Sequence, residues 1–419
     1  MRFLHVSHQY PPAIGGSEKY IADLSEALAA RGHQVDVFTT RATDYHSWRS
    51  ELPPFERRNG VAVYRFNSFR RRGYMWRMLH FGLRNYWRTR SARYEPFIFW
   101  GGGPNSMGMV WAMWQRAKQY DLIHLNCLVY THVVYGYWIA KKLGLPVVVT
   151  PHAHIEQEQT YNIGFQRKVL LGADHIIADT TAERDRFLEI GVNPWQVSVN
   201  GVGLDLTAYR HDMDTVTARR KLNLPEDAFV VLFLGRKVRY KGWDLALDAY
   251  ASLREQFPQL HFLAVGPETD ESEKMWTHYQ HIPGIHIMGK VSESEKLTAL
   301  QACDCLMLPS AGEAFGIVFL EAWLMGKPVI GLRTKAVASL VQHGHDGLLA
   351  EPGNLADLTT ALAHLVTKPQ LARQMGQNGR QKVLQHYTTD RIAQKTEAIY
   401  MQTLRHHWQK THQEMNGQR

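Results

Sequence analysis

The spacing of hydrophobic positions changes several times along the chain, and each change marks an element. RFLHVSH is a near-continuous apolar strand; the loop QYPPAIGGSE follows, and then KYIADLSEALAARG, where Ile21, Leu24 and Leu28 recur at helical spacing. Gly32 stands where a helix C-cap is wanted, and in HQVDVFTT the period drops to two at Val35 and Val37. Strand, helix and strand in that order predict a βαβ start and a parallel sheet. DLIHLN (121–126), PVVVTPH (146–152), ADHIIAD (173–179) and QVSVNGVG (196–203) continue it as strands, with YGYWIAKKLG as a helix between the first two.

A second start appears at AFVVLFLGR (228–236). A helix over 243–257, strands LHFLAVG (260–266) and IHIMGKV (285–291), a helix over 293–302 and a strand ending at Pro309 follow it. Two parallel α/β halves are expected, joined near 196–206, each with loops at the carboxyl ends of its strands, where open sheets bind ligands. A ligand gripped by both halves would lie in the cleft between them. From about 386, HYTTDRIAQKTEAIYMQTLRHHWQK reads as one amphipathic helix that straps back across the first domain. The expected domains are 1–200, 201–385 and this C-terminal helix, 386–419.

Length supports the division, since 419 residues exceed what one core serves. No run of about 18 uncharged apolar residues is present, and MRFLHVSHQYPP reaches histidine and proline too early for a signal peptide. Cys127, Cys303 and Cys305 make no disulfide framework; Cys303 and Cys305 are expected on one side of a strand as small buried hydrophobes. The cytoplasm is the expected location. The 22 histidines, His406 and His407 among them, show no ligand-set spacing, so no metal is expected.

Charge changes the picture more. The net +9 is uneven: residues 57–94 hold eleven arginines, nine aromatics and no acid. Such a segment suits an anionic surface, whether lipid headgroups, a phosphorylated acceptor or a polyanionic glycan. A solvated basic loop is the plainer reading. No nucleic-acid-binding module surrounds it, and nucleic acid is not an expected partner.

The densest chemistry lies in EAFGIVFLE, 313–321. The strand before it stops at Pro309, and SAGEAFG turns into a helix, IVFLEAWLMG. A helix N-terminus carries about half a positive charge and free N–H groups, so the amides of Phe315, Gly316, Ile317 and Val318 would hold a phosphate. Gly316 allows close approach. Glu313 and Glu321, about 12 Å apart if eight residues rise as helix, span a nucleoside-diphosphate sugar. The plainer alternative is that Ser310 and Glu313 form an S-x-x-E capping box and that Glu321 faces solvent. GRKVRYKG (235–242) adds Arg236 and Lys241, long cations that would neutralise a diphosphate and stabilise its departure without a metal.

With these residues in place the chain resembles the retaining glycosyltransferases of family 4. The similarity runs through GGSEKYIADLSEALAARGHQVDVFT, DLIHLN, VVVTPHAH, ADHIIAD, NGVGLD, GRKVRYKG, LHFLAVG, the stretch from GIHIMGKV to LMGKPVIG, DGLLAEPGN and MGQNGRQKV. It implies the GT-B architecture: two Rossmann-like doubly wound α/β domains facing each other across a cleft. It also implies roles. Arg236 and Lys241 fall on the diphosphate-binding cations, Glu313 on the contact to the donor sugar and Glu321 on the contact to the ribose. Phe315, Gly316, Ile317 and Val318 fall where amides meet phosphate, and Val291 where the main chain reads the base. Gly15 and Gly16 match the glycine loop that approaches the phosphate from the first domain. His152 matches the histidine touching the transferred sugar, with His154 its near neighbour. NGVGLD departs from the family's NGVD, which leaves Asp205 without an assigned role, and the arginine-rich segment has no strong family pattern.

The resemblance implies transfer with retention from a UDP- or GDP-sugar to a glycan, lipid-linked or other hydroxyl acceptor, with the diphosphate leaving and the acceptor attacking on the same face. Domain closure would exclude water. Cell-envelope polysaccharide or glycolipid synthesis is the expected setting, with residues 57–94 placing the protein on the inner face of the plasma membrane. A glycoside hydrolase would use Glu313 and Glu321 as acid and nucleophile but needs no Arg/Lys pair. A silent scaffold of the same fold would dock to membranes without binding nucleotide.

Overall fold

The computed structural model describes residues 1–209 and 213–417. Two compact α/β units emerge: residues 1–203 together with the stretch from 389 onward, and residues 204–388.

In the first unit, eight strands form one sheet: β1 (Arg2–Val6), β2 (Gln34–Thr40), β3 (Phe55–Arg58), β4 (Val61–Phe66), β5 (Leu122–Asn126), β6 (Val147–Thr150), β7 (His175–Ala178) and β8 (Val197–Val199). Their order is β3-β4-β2-β1-β5-β6-β7-β8, and the β3–β4 pair is antiparallel. Ile21, Leu24 and Leu28 are buried on the Gly16–Ala30 helix, as their spacing requires. The alternation in β2 is misleading, because helices cover both faces of a parallel sheet. Asp36, between Val35 and Val37, is buried too and accepts the Tyr120 hydroxyl at 2.6 Å.

Residues 57–94 are no loop. Val61, Ala62 and Val63 are core residues of β4, Arg65 is buried against Glu56 at 2.6 Å, and Gly73–Thr89 is a helix. The acid-free run therefore begins in the sheet, where local apolar alternation outweighs charge. The cysteine expectation also shifts: Cys303 ends the Glu293–Ala302 helix and only Cys305 enters a strand, although both thiols are buried and free.

The second unit contains β9 (Phe229–Leu234), β10 (Leu260–Val265), β11 (Ile285–Met288), β12 (Cys305–Leu308), β13 (Val329–Leu332) and β14 (Gly347–Ala350). All pairs are parallel, in the order β11-β10-β9-β12-β13-β14. Helix Pro369–His386 follows, and a separate helix, Thr389–Gly417, belongs to the first unit. Asn200 Nδ2 donates to Thr396 Oγ1 at 2.8 Å and to Ile392 O at 3.1 Å, while Glu397 accepts from Arg31 Nε at 2.7 Å. Tyr400 inserts its hydroxyl between the buried rings of His5 and His124. Gly203 permits this seating, since a Cβ there would lie 2.8 Å from Thr389 N and Cα. Asp205, left unassigned above, folds into its own turn, accepting from Thr207 N at 2.9 Å.

Candidate active site

In the second sheet the strand order reverses between β9 and β12, so the loops that leave these two strands border a common crevice. Residues 235–242 and 309–316 are those loops. They are stitched together: Tyr240 O accepts from Ala311 N at 2.9 Å and lies 3.3 Å from Ser310 Oγ. Gly242 makes the approach possible, with φ +74° and a hypothetical Cβ only 2.1 Å from Pro309 O. Gly242→Ala should cost about 3 kcal/mol, through both the left-handed backbone and the clash. Calorimetry checks this, and an unchanged unfolding temperature contradicts it.

Lys241 Nζ reaches Glu313 Oε1 at 2.7 Å, and both side chains are largely buried. Arg236 is exposed on the same loop; its guanidinium donates to the Tyr240 hydroxyl and lies 5.7 Å from that ring's centre. The helix Ile317–Leu324 begins beside them, capped by Gly316 at φ +90°, where a Cβ would meet the Phe319 ring at 2.7 Å. The amides of Phe315, Gly316, Ile317 and Val318 donate to no acceptor among the described residues, whereas Phe319 N already bonds to Gly316 O at 2.9 Å.

The capping-box alternative is overturned. Ser310 Oγ lies 3.2 Å from Gly312 O, and the helix starts too late for Glu313 to serve as its third residue. Glu321 does not face solvent either: it is 4% exposed, and its Oε1 accepts from the Tyr209 hydroxyl and from Lys296 Nζ at 2.8 Å. The helical spacing expected between the two glutamates applies only from Ile317 onward, a rise of about 6 Å, because Glu313 sits in the preceding turn.

Tyr209 and Lys296 escaped the sequence reading, and so did Lys237. Nothing in SESEKLTAL distinguishes Lys296 from a solvated charge; only the burial of Glu321 shows that a partner is needed. Burial alone would lower the Lys296 ammonium, but Glu321 and Glu293, at 2.8 and 2.7 Å, outweigh it and raise it. Lys237 turns inward between Arg236 and Val238, donating at 2.7 Å to both Gly266 O and Met288 O. Burial pushes its ammonium down, opposed by Glu268 at 3.6 Å. It ties together the ends of β9, β10 and β11. Val291 follows β11, one residue before Ser292 caps the Glu293–Ala302 helix.

In the first unit the reversal lies between β1 and β5. Gly15 caps and Gly16 opens the helix after β1, and a Cβ at Gly15 would sit 2.1 Å from Glu18 Oε2. Burial alone would raise the Glu18 carboxyl. His8 at 2.9 Å, a backbone amide and the Ser17 hydroxyl instead hold it at about 2. A carboxylate thus already occupies the glycine loop.

His152, with φ +50°, commits both nitrogens: Nδ1 to Asp179 Oδ2 at 2.7 Å and Nε2 to Asn126 Oδ1 at 2.9 Å. Since Asn126 ends β5 and Asp179 follows β7, the ring clamps the carboxyl ends of three adjacent strands. His154 follows two residues later and packs at 5.6 Å from Tyr161. The structure therefore gathers Lys241, Glu313, Arg236 and the helix amides at one crevice and keeps Glu321 on the same helix. Gly15, Gly16 and His152 belong to the other unit. Among the described residues, no three His, Cys, Asp or Glu side chains are placed to hold a metal ion.

Comparison with known proteins accords with this geometry. The family model described as glycosyl transferases group 1 matches residues 214–382, and the glycosyl transferase 4-like domain matches residues 15–203. A D-inositol 3-phosphate glycosyltransferase of Streptomyces bingchenggensis is 26% identical over 97% of this chain and 89% of its own. Sucrose-phosphate synthase from Thermosynechococcus elongatus superposes with TM-score 0.71 at 22% identity, covering 96% of this chain and 98% of that one. Anabaena HepE, solved in complex with UDP-glucose, gives TM-score 0.71 at 20% identity over 95% and 99%. Curated relatives are glycosyltransferases, and the neighbouring structures share the GT-B fold of two parallel-sheet α/β domains. The chain belongs to the group 1, type 4-like glycosyltransferases and is a transferase enzyme of the GT-B fold.

Proposed function

We propose that the protein transfers a sugar, with retention of anomeric configuration, from a nucleoside-diphosphate sugar to an acceptor hydroxyl. The observation that carries this is the Lys241–Glu313 pair beside four helix-tip amides without acceptors, all inside one unit. In this reading the diphosphate lies on the amides of Phe315 to Val318, neutralised by Lys241 and Arg236. Glu313 accepts hydroxyls of the sugar, Glu321 accepts from the ribose, and Val291 backs the base. The bond from the anomeric carbon to phosphate breaks, the bond to the acceptor oxygen forms on the same face, and the acceptor proton passes to the departing phosphate. The cations and amides stabilise the charge that develops on the leaving group, so no metal is required.

For the first unit, we propose that the Gly15–Gly16 loop serves phosphate and His152 serves sugar, as the resemblance implies. The setting we infer is glycan or glycolipid synthesis, with the protein peripheral on an anionic membrane through residues 57–94. No helix among the described residues is long and apolar enough to cross one.

A thermal-shift screen against UDP- and GDP-sugars tests the donor, and the UDP-glucose complex of HepE supports beginning with UDP. Acceptor screening then follows, with phosphorylated cyclitols included because of the curated relatives' name. Arg236→Ala should weaken nucleotide binding about tenfold, since one charge-assisted contact is lost. Unchanged affinity in both Arg236→Ala and Lys241→Ala would sink the site.

A further inference from the structure

The first unit carries a cavity that donor binding leaves unused. It measures about 400 Å³, and its wall includes Phe69, Arg70, Arg72, Met75, Met78 and Trp100. Arg71 fixes the backbone here. Its guanidinium turns inward to Gly101 O at 2.6 and 3.0 Å and to Tyr45 O at 3.2 Å, and it lies 3.7 Å from the centre of the Trp76 ring. Neighbours in an extended stretch point the opposite way, so Arg70 and Arg72 are both exposed. Neither meets a carboxylate among the described residues, where this segment's ion pairs are Arg58–Glu26 and Arg65–Glu56.

The surroundings share this chemistry. On the Gly73–Thr89 helix, Tyr74, Arg77, Phe81, Arg84 and Arg88 form an exposed stripe at three- and four-residue spacing. The opposite stripe, Met75, Gly82 and Tyr86, is buried, and a Cβ on Gly82 would meet Ile98 of the Glu95–Gly102 helix at 2.8 Å. Beyond Asn105, also in the cavity wall, the chain enters the helix Met107–Arg116. Met107, Trp111 and Trp114 face outward there, 60%, 63% and 45% exposed. Arginine beside exposed tryptophan and tyrosine, with Glu95 the one acid in residues 57–116, is the composition of segments that lie in a headgroup layer.

We propose that this cavity receives the phosphate headgroup of an anionic lipid. Arg70 and Arg72 would take the phosphodiester, and Met75, Met78 and Trp100 the glycerol and first methylenes, with the exposed aromatics of the adjoining helices in the headgroup layer. The proposal deepens the peripheral-membrane reading and rests on it alone, not on the donor site.

The full chain is to be sedimented with vesicles of phosphatidylcholine and of phosphatidylcholine mixed with phosphatidylglycerol. Wild type should pellet only with the anionic mixture. R70Q/R72Q should lose at least about tenfold more in partitioning than R84Q/R88Q, which removes the same charge from the exposed stripe outside the cavity. W100A retains every charge and should also weaken binding, so the idea stays testable if R70Q/R72Q folds poorly. Equal losses in the two arginine pairs would overturn the headgroup site but leave a diffuse electrostatic surface. Failure of wild type to bind anionic vesicles would overturn both. If glycerol phosphate alone raises the unfolding temperature, dependent on Arg70 and Arg72, while vesicles are ignored, the cavity takes a soluble phosphate and the lipid proposal falls.

Discussion

Replacing Lys241 with methionine is expected to lower kcat about 100- to 1,000-fold, with a smaller change in KM. The ammonium would face a diphosphate whose charge grows as the sugar departs, so its interaction is stronger in the transition state than in the ground state. The same substitution leaves the Glu313 carboxylate, 7% exposed, without its 2.7 Å partner, at a cost of about 3 kcal/mol in stability. The two effects separate in a double variant. K241M/E313Q removes both charges and should recover most of that stability without recovering turnover. Steady-state kinetics and thermal melts on wild type and the two variants decide the matter. A K241M enzyme within about threefold of wild-type kcat would remove the leaving-group role.

The second large effect is acid lability. His5 and His132 are held near 3 and His124 well below its usual 6.5; burial is the main cause in each case. All three are neutral in the folded protein, and their hydrogen bonds fit this: His132 Nε2 donates to Asn126 O at 2.6 Å, and Tyr400 bridges His5 and His124. The unfolded chain takes up these protons below about 6.5, so stability is full above that pH and falls as pH drops toward 3. At pH 5 His5 and His132 should each cost about 2 kcal/mol, together about 4, with His124 adding in the same direction, against a total of about 5–15 for an ordinary fold. Urea titrations from about pH 7.5 to about pH 4.5 should show the midpoint collapsing across this window. A midpoint that stays constant over that range would mean these rings are not buried neutral.

Much of this molecule is legible locally. RFLHVSH, DLIHLN and AFVVLFLGR are apolar runs too short for helices, and each is a central parallel strand. Gly316 ahead of IVFLEAWL marks a helix tip without reference to anything distant. Where pattern and environment conflict, the environment decides. Arg65 lies in an acid-free basic run and is nevertheless a buried sheet residue, because Glu56 on the paired strand β3 supplies its counter-charge.

By itself, then, the sequence determined two successive parallel α/β halves, the anion-ready helix start and the cationic loop beside it, since periodicity and helix ends depend on neighbours in the chain. Only the tertiary structure decided which polar side chains meet. Lys241 and Glu313 are 72 residues apart, Tyr209 and Glu321 112 apart, and His152 and Asp179 27 apart. Strand order brings such pairs together, and strand order is set by how whole sheets bury their faces, a property that no short stretch of chain contains.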